Sequence, residues 1–182
     1  MRLVQRSSFA SFIMILMILA GTLIGSHNSL SAMRNAASAI FSMGAQGDGI
    51  GIQGDLRERG NAAYNMVVIA RKYLPEENQL IQNILASKNA LDTASSVREK
   101  ATANRDLTTA VRDLYDVLNG MDLRSPDTGY PQSLYTDFRS RGDTISHDPY
   151  NQAAAGFNQV LSGFPAGMLG GLTGIQRLEL FE

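Results

Sequence analysis

"LRERGNAAYNMVVIARKYL", Leu56 to Leu74, decides the fold class. Leu56, Gly60, Ala63, Val67, Ala70 and Leu74 recur at alternating steps of four and three, the spacing that lines one face of an α-helix. Arg57, Glu58, Arg59, Asn61, Arg71 and Lys72 fall off that seam, so the stretch reads as an amphipathic helix with a narrow, coiled-coil-like stripe. Leu80, Ile84, Leu91 and Ala94 carry a second helix, entered through "LPEEN", where Pro75 suits a first-turn position and Glu76 and Glu77 suit the positive helix end. "TASSVREKATANRD" (Thr93 to Asp106) is polar and reads as a turn or a weak point. Asn104, Leu107, Val111, Leu114 and Leu118 restore the stripe up to an Asn119-Gly120 cap. "DLRSPDTGYP" (Asp122 to Pro131) is a loop by composition, and Leu134, Phe138 and Ile145 predict a further helix from about Pro131. No stretch alternates with period two, and no repeat of 20 to 50 residues recurs. The expected fold is all-α, an antiparallel helical bundle.

Working upstream, no charged residue lies between Arg6 and Arg34. That gap holds "FASFIMILMILAGTLIG", Phe9 to Gly25, close to the roughly 17–25 apolar residues a spanning helix needs. It reads as a transmembrane anchor. The rival, a secretory signal cut after Ala32, would place the large Leu30 where a small residue is preferred. Arg2 and Arg6 before the span, against Arg34 after it, favour a cytoplasmic N-terminus and an exported C-terminal domain. Leu30, Met33, Ala37 and Ile40 continue as a helical stripe. "GAQGDGIGIQG" (Gly44 to Gly54) then reads as a hinge. A helical seam through Gly44, Gly47, Gly51 and Gly54 would cost about 1 kcal/mol per glycine. The organisation is thus a basic N-terminus (1–8), an anchor (9–29), a juxtamembrane helix with a glycine-rich segment (30–54) and a bundle with an apolar tail (55–182).

Sixteen basic residues against 17 acidic ones, with no basic run, give no reason to expect a nucleic-acid partner. The chain has no cysteine, which removes disulfides, thiolate metal sites and cysteine nucleophiles. His27 and His147 are far apart and stand in no metal or catalytic spacing. Gly49, Gly51 and Gly54 spell a nominal dinucleotide motif, yet it follows no strand. No catalytic residue, cofactor or metal is therefore expected.

The least ordinary pattern is "DPYNQAAAGFNQVLSGFP", Asp148 to Pro165. Asp148-Pro149 is a helix start, and Tyr150-Asn151, Phe157-Asn158 and Phe164-Pro165 follow at intervals of seven. Tyr150, Phe157 and Phe164 form one row, expected to fill the core. Asn151 and Asn158 form a second, expected to fix register or cap backbone groups rather than hold a ligand. Ala153, Ala154, Ala155 and Gly156 keep the surface between them slim, so that another helix can approach.

This stretch resembles the close of the LemA family: Tyr-Asn, five residues, Tyr-Asn, five residues, Phe-Pro, then an apolar tail ending Phe-Glu, here Phe181-Glu182. "HNSLSAMRNA" after the span is similar to the family's Tyr-Asn-Ser-Leu start. "RERGNAAYNMVVIARKY" resembles its Arg-Arg-Tyr-Asp-Leu-Ile-Pro-Asn-Leu-Val segment at Arg59, Asn65 and Val67, and Tyr130-Pro131 resembles a Tyr-Pro pair opening its last long helix. Tyr64 replaces the family's proline, the glycine run is an insertion, and Pro149 should break the helix between Ser146 and Asp148. The resemblance implies a helical protein anchored in a bacterial cell membrane, of no settled biochemical activity. Some members are associated with organelle membranes in magnetosome-forming bacteria, others with membrane metalloproteases. The expected function is a non-enzymatic, self-assembling or partner-binding scaffold, its partners the bilayer, further copies of itself or another membrane protein. A lipid- or small-molecule-binding module using the bundle core or the apolar tail is the alternative.

Overall fold

The computed structural model describes residues 2–182, with side chains from residue 9 onward. Among these residues the chain is helical without a strand: α1 (Arg2–Met43), α2 (Ile52–Ala70), α3 (Gln79–Thr93), α4 (Val97–Asn119), α5 (Tyr130–Ser146), α6 (Tyr150–Ser162) and α7 (Ala166–Thr173). It divides into two compact units. One comprises Met1–Ser38 and Ala153–Leu178, and the other Ala39–Gln152 and Glu179–Glu182.

The larger unit is built around α2, which packs on α3, α4 and α5. With three neighbours, α2 buries a wide arc rather than a narrow stripe: Leu56, Ala63, Val67 and Ala70 as expected, but also Asp55, Arg59 and Met66. The expectation that Arg59 lies outside the seam is wrong: with three neighbours, α2 leaves only the strip through Arg57, Asn61, Tyr64, Asn65 and Val68 exposed, and Arg59 falls on the covered side. Helix α4 keeps to the expected face, with Leu107, Val111, Leu114 and Leu118 all buried. It ends at Asn119 with Gly120 as its cap, as its sequence predicts.

Helix starts follow local chemistry. Ser96 and Glu99 form a reciprocal capping box at α4, so the polar stretch from Thr93 does hold the turn between two helices. At α3 the cap is Asn78, whose side chain accepts from the Leu80 N–H at 2.9 Å. Pro75 therefore belongs to the preceding turn and not to the first turn of α3. Asp148 accepts from the Tyr150 N–H at 2.8 Å, and the break between α5 and α6 falls where Pro149 predicts it. Burial, with Asp55 adding like charge, holds the Asp148 carboxyl above its usual range.

The glycine-rich segment is a turn. Gly44, Gly47 and Gly49 have φ of 73°, 70° and 81°, the left-handed region open to glycine, which ends any helical seam through them. Gly51 is required for another reason: a Cβ there would lie 2.6 Å from the Ile40 carbonyl oxygen and 2.7 Å from that of Phe41.

In the smaller unit, the apolar part of α1 buries none of an 18-residue window against the rest of the chain. Packing begins just beyond it, where Leu30 and Ala37 are buried. Ala154, Phe157 and Leu161 of α6 are buried at steps of three and four, and Gly170 of α7 is buried too.

Candidate functional site

The asparagine ladder proves to be a clamp for the C-terminal tail. In the smaller unit, Asn158 accepts from the Leu178 N–H through Oδ1 and donates to the Leu178 carbonyl through Nδ2, both at 2.8 Å. In the larger unit, Asn151 repeats the arrangement on Phe181, accepting its N–H at 2.8 Å and donating to its carbonyl at 2.9 Å. A side-chain amide thus supplies the donor and acceptor that a neighbouring strand would offer.

Further contacts hold the tail at each step. In the larger unit Tyr150 donates its hydroxyl proton to the Glu179 carbonyl at 2.7 Å, and the Phe41 ring meets Tyr150 edge-on at 5.1 Å and Phe181 at 6.0 Å. The Glu179 carboxylate accepts from the Arg98 N–H at 3.0 Å, placing negative charge on the first turn of α4. In the smaller unit Arg34 donates to the Gln176 carbonyl at 3.0 Å, and Arg177 donates to the Ser162 hydroxyl at 2.9 Å.

The remaining ladder residues divide. Tyr150 and Phe157 are buried at 1% and 3% exposure, whereas Phe164 is 87% exposed. The reason is that α6 ends at Ser162, so Phe164 leaves the row and Pro165 caps the start of α7. Of the small residues Ala154 is buried, while Ala155 and Gly156 are exposed, and among the described residues no atom lies within 4 Å of a Cβ at Gly156.

A second group centres on Arg59. Its guanidinium donates through Nη1 to the Phe138 carbonyl at 3.2 Å and through Nη2 to the Thr108 hydroxyl at 2.6 Å, and it lies 3.8 Å from the centre of the Phe138 ring. Gly142 makes this fit, since a Cβ there would fall 1.9 Å from Nη1. One turn before Arg59, Asp55 pairs with Arg141 at 3.2 Å. Burial pulls the Arg59 pKa down to about 10, partly offset by the Asp55 charge, so it stays protonated at neutral pH. Its Nε has no hydrogen-bond partner. Arg59 thus joins α2, α4 and α5 by one buried cation.

Beside it opens a cleft of about 880 Å³. Asn104, Thr108, Gln132, Thr136, Ser140 and Ser146 bring amides and hydroxyls to its wall. Tyr115 and Tyr135 stack there at 4.0 Å, with the Tyr115 hydroxyl bonded to Gln132. Such a lining offers donors, acceptors and flat aromatic surface, which suits a chain segment that itself presents peptide groups. Elsewhere Val67 and Pro131 are core residues, while Asn65 and Tyr130 are exposed. Among the described residues no three His, Asp or Glu side chains gather where a metal could be held. Sequence periodicity points to neither Arg59 nor the cleft, because the partners lie 49 to 83 positions from Arg59 on other helices.

The clamp makes a testable demand on charge. Asn158→Asp replaces the Nδ2 donor by an acceptor facing the Leu178 carbonyl. We expect a loss of about 1–3 kcal/mol at pH 7. The new carboxyl is favoured in its protonated form in the folded state, so its folded pKa is raised. The variant should therefore regain stability as pH falls through that value, a rise absent from Asn158→Ala; thermal melts across pH would show it.

A comparison with protein families matches residues 50–182 to the LemA family. A comparison with curated proteins gives no match.

Proposed function

We propose, from the premise that the chain belongs to the LemA family, that it is a membrane-anchored scaffold with no catalytic activity of its own. One observation carries the reading. The apolar window of α1 is bare of packing within the chain, yet it continues as one uninterrupted helix to Met43, beyond which the packed helices begin. A stretch of this length with no internal partner suits a bilayer. The chain's N-terminus is then cytoplasmic, and the part that follows the span is exported.

What the exported part offers is surface. The cleft beside Arg59 is the place where a partner segment, from another copy or another membrane protein, finds hydrogen-bonding groups and aromatic faces together. The ladder is already engaged, since Asn151 and Asn158 each give a donor and an acceptor to the tail. This weighs against the alternative of a lipid- or small-molecule-binding module with a polar-lined cavity near Asn151 and near Asn158.

Light scattering on the detergent-solubilised full chain tests the reading. We expect a discrete species larger than one chain, alone or with a co-purified protein. The absence of cysteine allows a single Thr136→Cys on the cleft wall, and a bulky maleimide there should dissociate that species. A strictly monomeric particle would sink the scaffold reading, and an assembly indifferent to the label would remove the cleft from it.

A further inference from the structure

Helix α7 has glycines at its closest inward contacts and large apolar side chains on its exposed side. On the inner side, a Cβ at Gly170 would lie 2.4 Å from Leu161 Cδ1 and 3.6 Å from Leu30 Cδ1, and one at Gly167 would lie 2.6 Å from the Leu161 carbonyl oxygen. The glycines thus seat α7 closely on α6 and on α1 at Leu30. On the outer side, Met168 and Leu172 stand four residues apart at 54% and 68% exposure, and Phe164, in the turn that leads into the helix, is 87% exposed. No charged residue occurs from Pro149 to Gln176, so nothing polar enough to demand water interrupts this ridge.

The place of the seat along α1 gives the ridge its medium. Leu30 follows Gly25, the last residue of the apolar run, by five positions. Five helical residues rise about 7.5 Å. The polar layer on each side of a bilayer's hydrocarbon is about 5–8 Å thick. We infer that α7 is an interfacial helix, lying in the headgroup layer with Phe164, Met168 and Leu172 turned into the acyl boundary. This rests on α1 being a membrane span. The apolar medium that must solvate the bare face of α1 then reaches α7 as well, and no second protein is needed to cover the ridge. Arg34, joined to Gln176, and Arg177, joined to Ser162, stand in the same unit and supply cations for anionic headgroups.

The chain contains no tryptophan, so one introduced residue reports alone. Full-length Leu172→Trp and, separately, Met168→Trp are reconstituted in phosphatidylcholine–phosphatidylglycerol vesicles with acyl chains brominated either near the headgroup or deep. Leu16→Trp, inside the apolar run, is the control for the span. We expect shallow bromine to remove about half or more of the emission at positions 168 and 172, and deep bromine to quench position 16. Quenching at 16 with none at 168 and 172 overturns the interfacial helix while the anchor stands. Blue-shifted emission at 168 and 172 without lipid quenching means that protein covers the ridge, which also overturns it. No quenching at any position removes the anchor reading, and the proposal with it.

Discussion

Arg59→Ala is expected to lower the unfolding free energy by about 3–5 kcal/mol, the cost of removing a buried guanidinium together with the two charge-assisted hydrogen bonds it donates. For a chain of this length each kcal/mol corresponds to roughly 2–4 °C in Tm. The loss has named parts. The Phe138 carbonyl and the Thr108 hydroxyl lose a charged donor, the Phe138 ring loses the cation over its face, and a void opens beside Gly142. Arg59→Met keeps most of the volume and removes the cost of holding a charge out of water, a cost that its pKa of about 10 displays. It should therefore melt closer to the parent than Arg59→Ala. Gly142→Ala alone should cost about 1–3 kcal/mol, since the guanidinium it strikes is fixed by three contacts and cannot swing away. Combined with Arg59→Ala, the added methyl meets open space and should cost little. Additive losses across that cycle would show that the two residues do not touch.

Phe157→Ala is expected to be equally damaging, at about 3–5 kcal/mol. Phe157 is buried at 3% exposure on the same face of α6 as Ala154 and Leu161, and alanine would leave a cavity where the ring stood. Phe164→Ala is the matched comparison: the same residue type one interval on, 87% exposed, expected to leave the Tm nearly unchanged. Equal melting of the two variants would refute the division of the row.

Legibility in the sequence followed from how local each feature is. The α4 stripe and its Gly120 cap were legible because helix period and cap chemistry act within a few residues. The break at Pro149 was legible for the same reason. The fate of Arg59 was not, because whether an off-seam residue meets water depends on how many helices surround its own. Pro75 misled because a proline fits the turn before a helix as well as its first turn, and Asn78 carries the stronger cap. The ladder's spacing was plain, but its purpose was hidden. The object it holds is an extended tail 20 to 30 residues away that has no periodicity to announce it. Phe164 kept the spacing without the role, because the helix beneath the pattern had already ended.

The central claim is that the asparagine pair, the feature most like a binding site, is occupied by the chain's own end. Amide hydrogen exchange at Leu178 and Phe181 tests it most directly. Exchange at both should be slowed far below that of an open terminal segment, and Asn158→Ala should release Leu178. Exchange of both amides at the rate of an unstructured chain would contradict the clamp and return Asn151 and Asn158 to the list of groups free to bind something else.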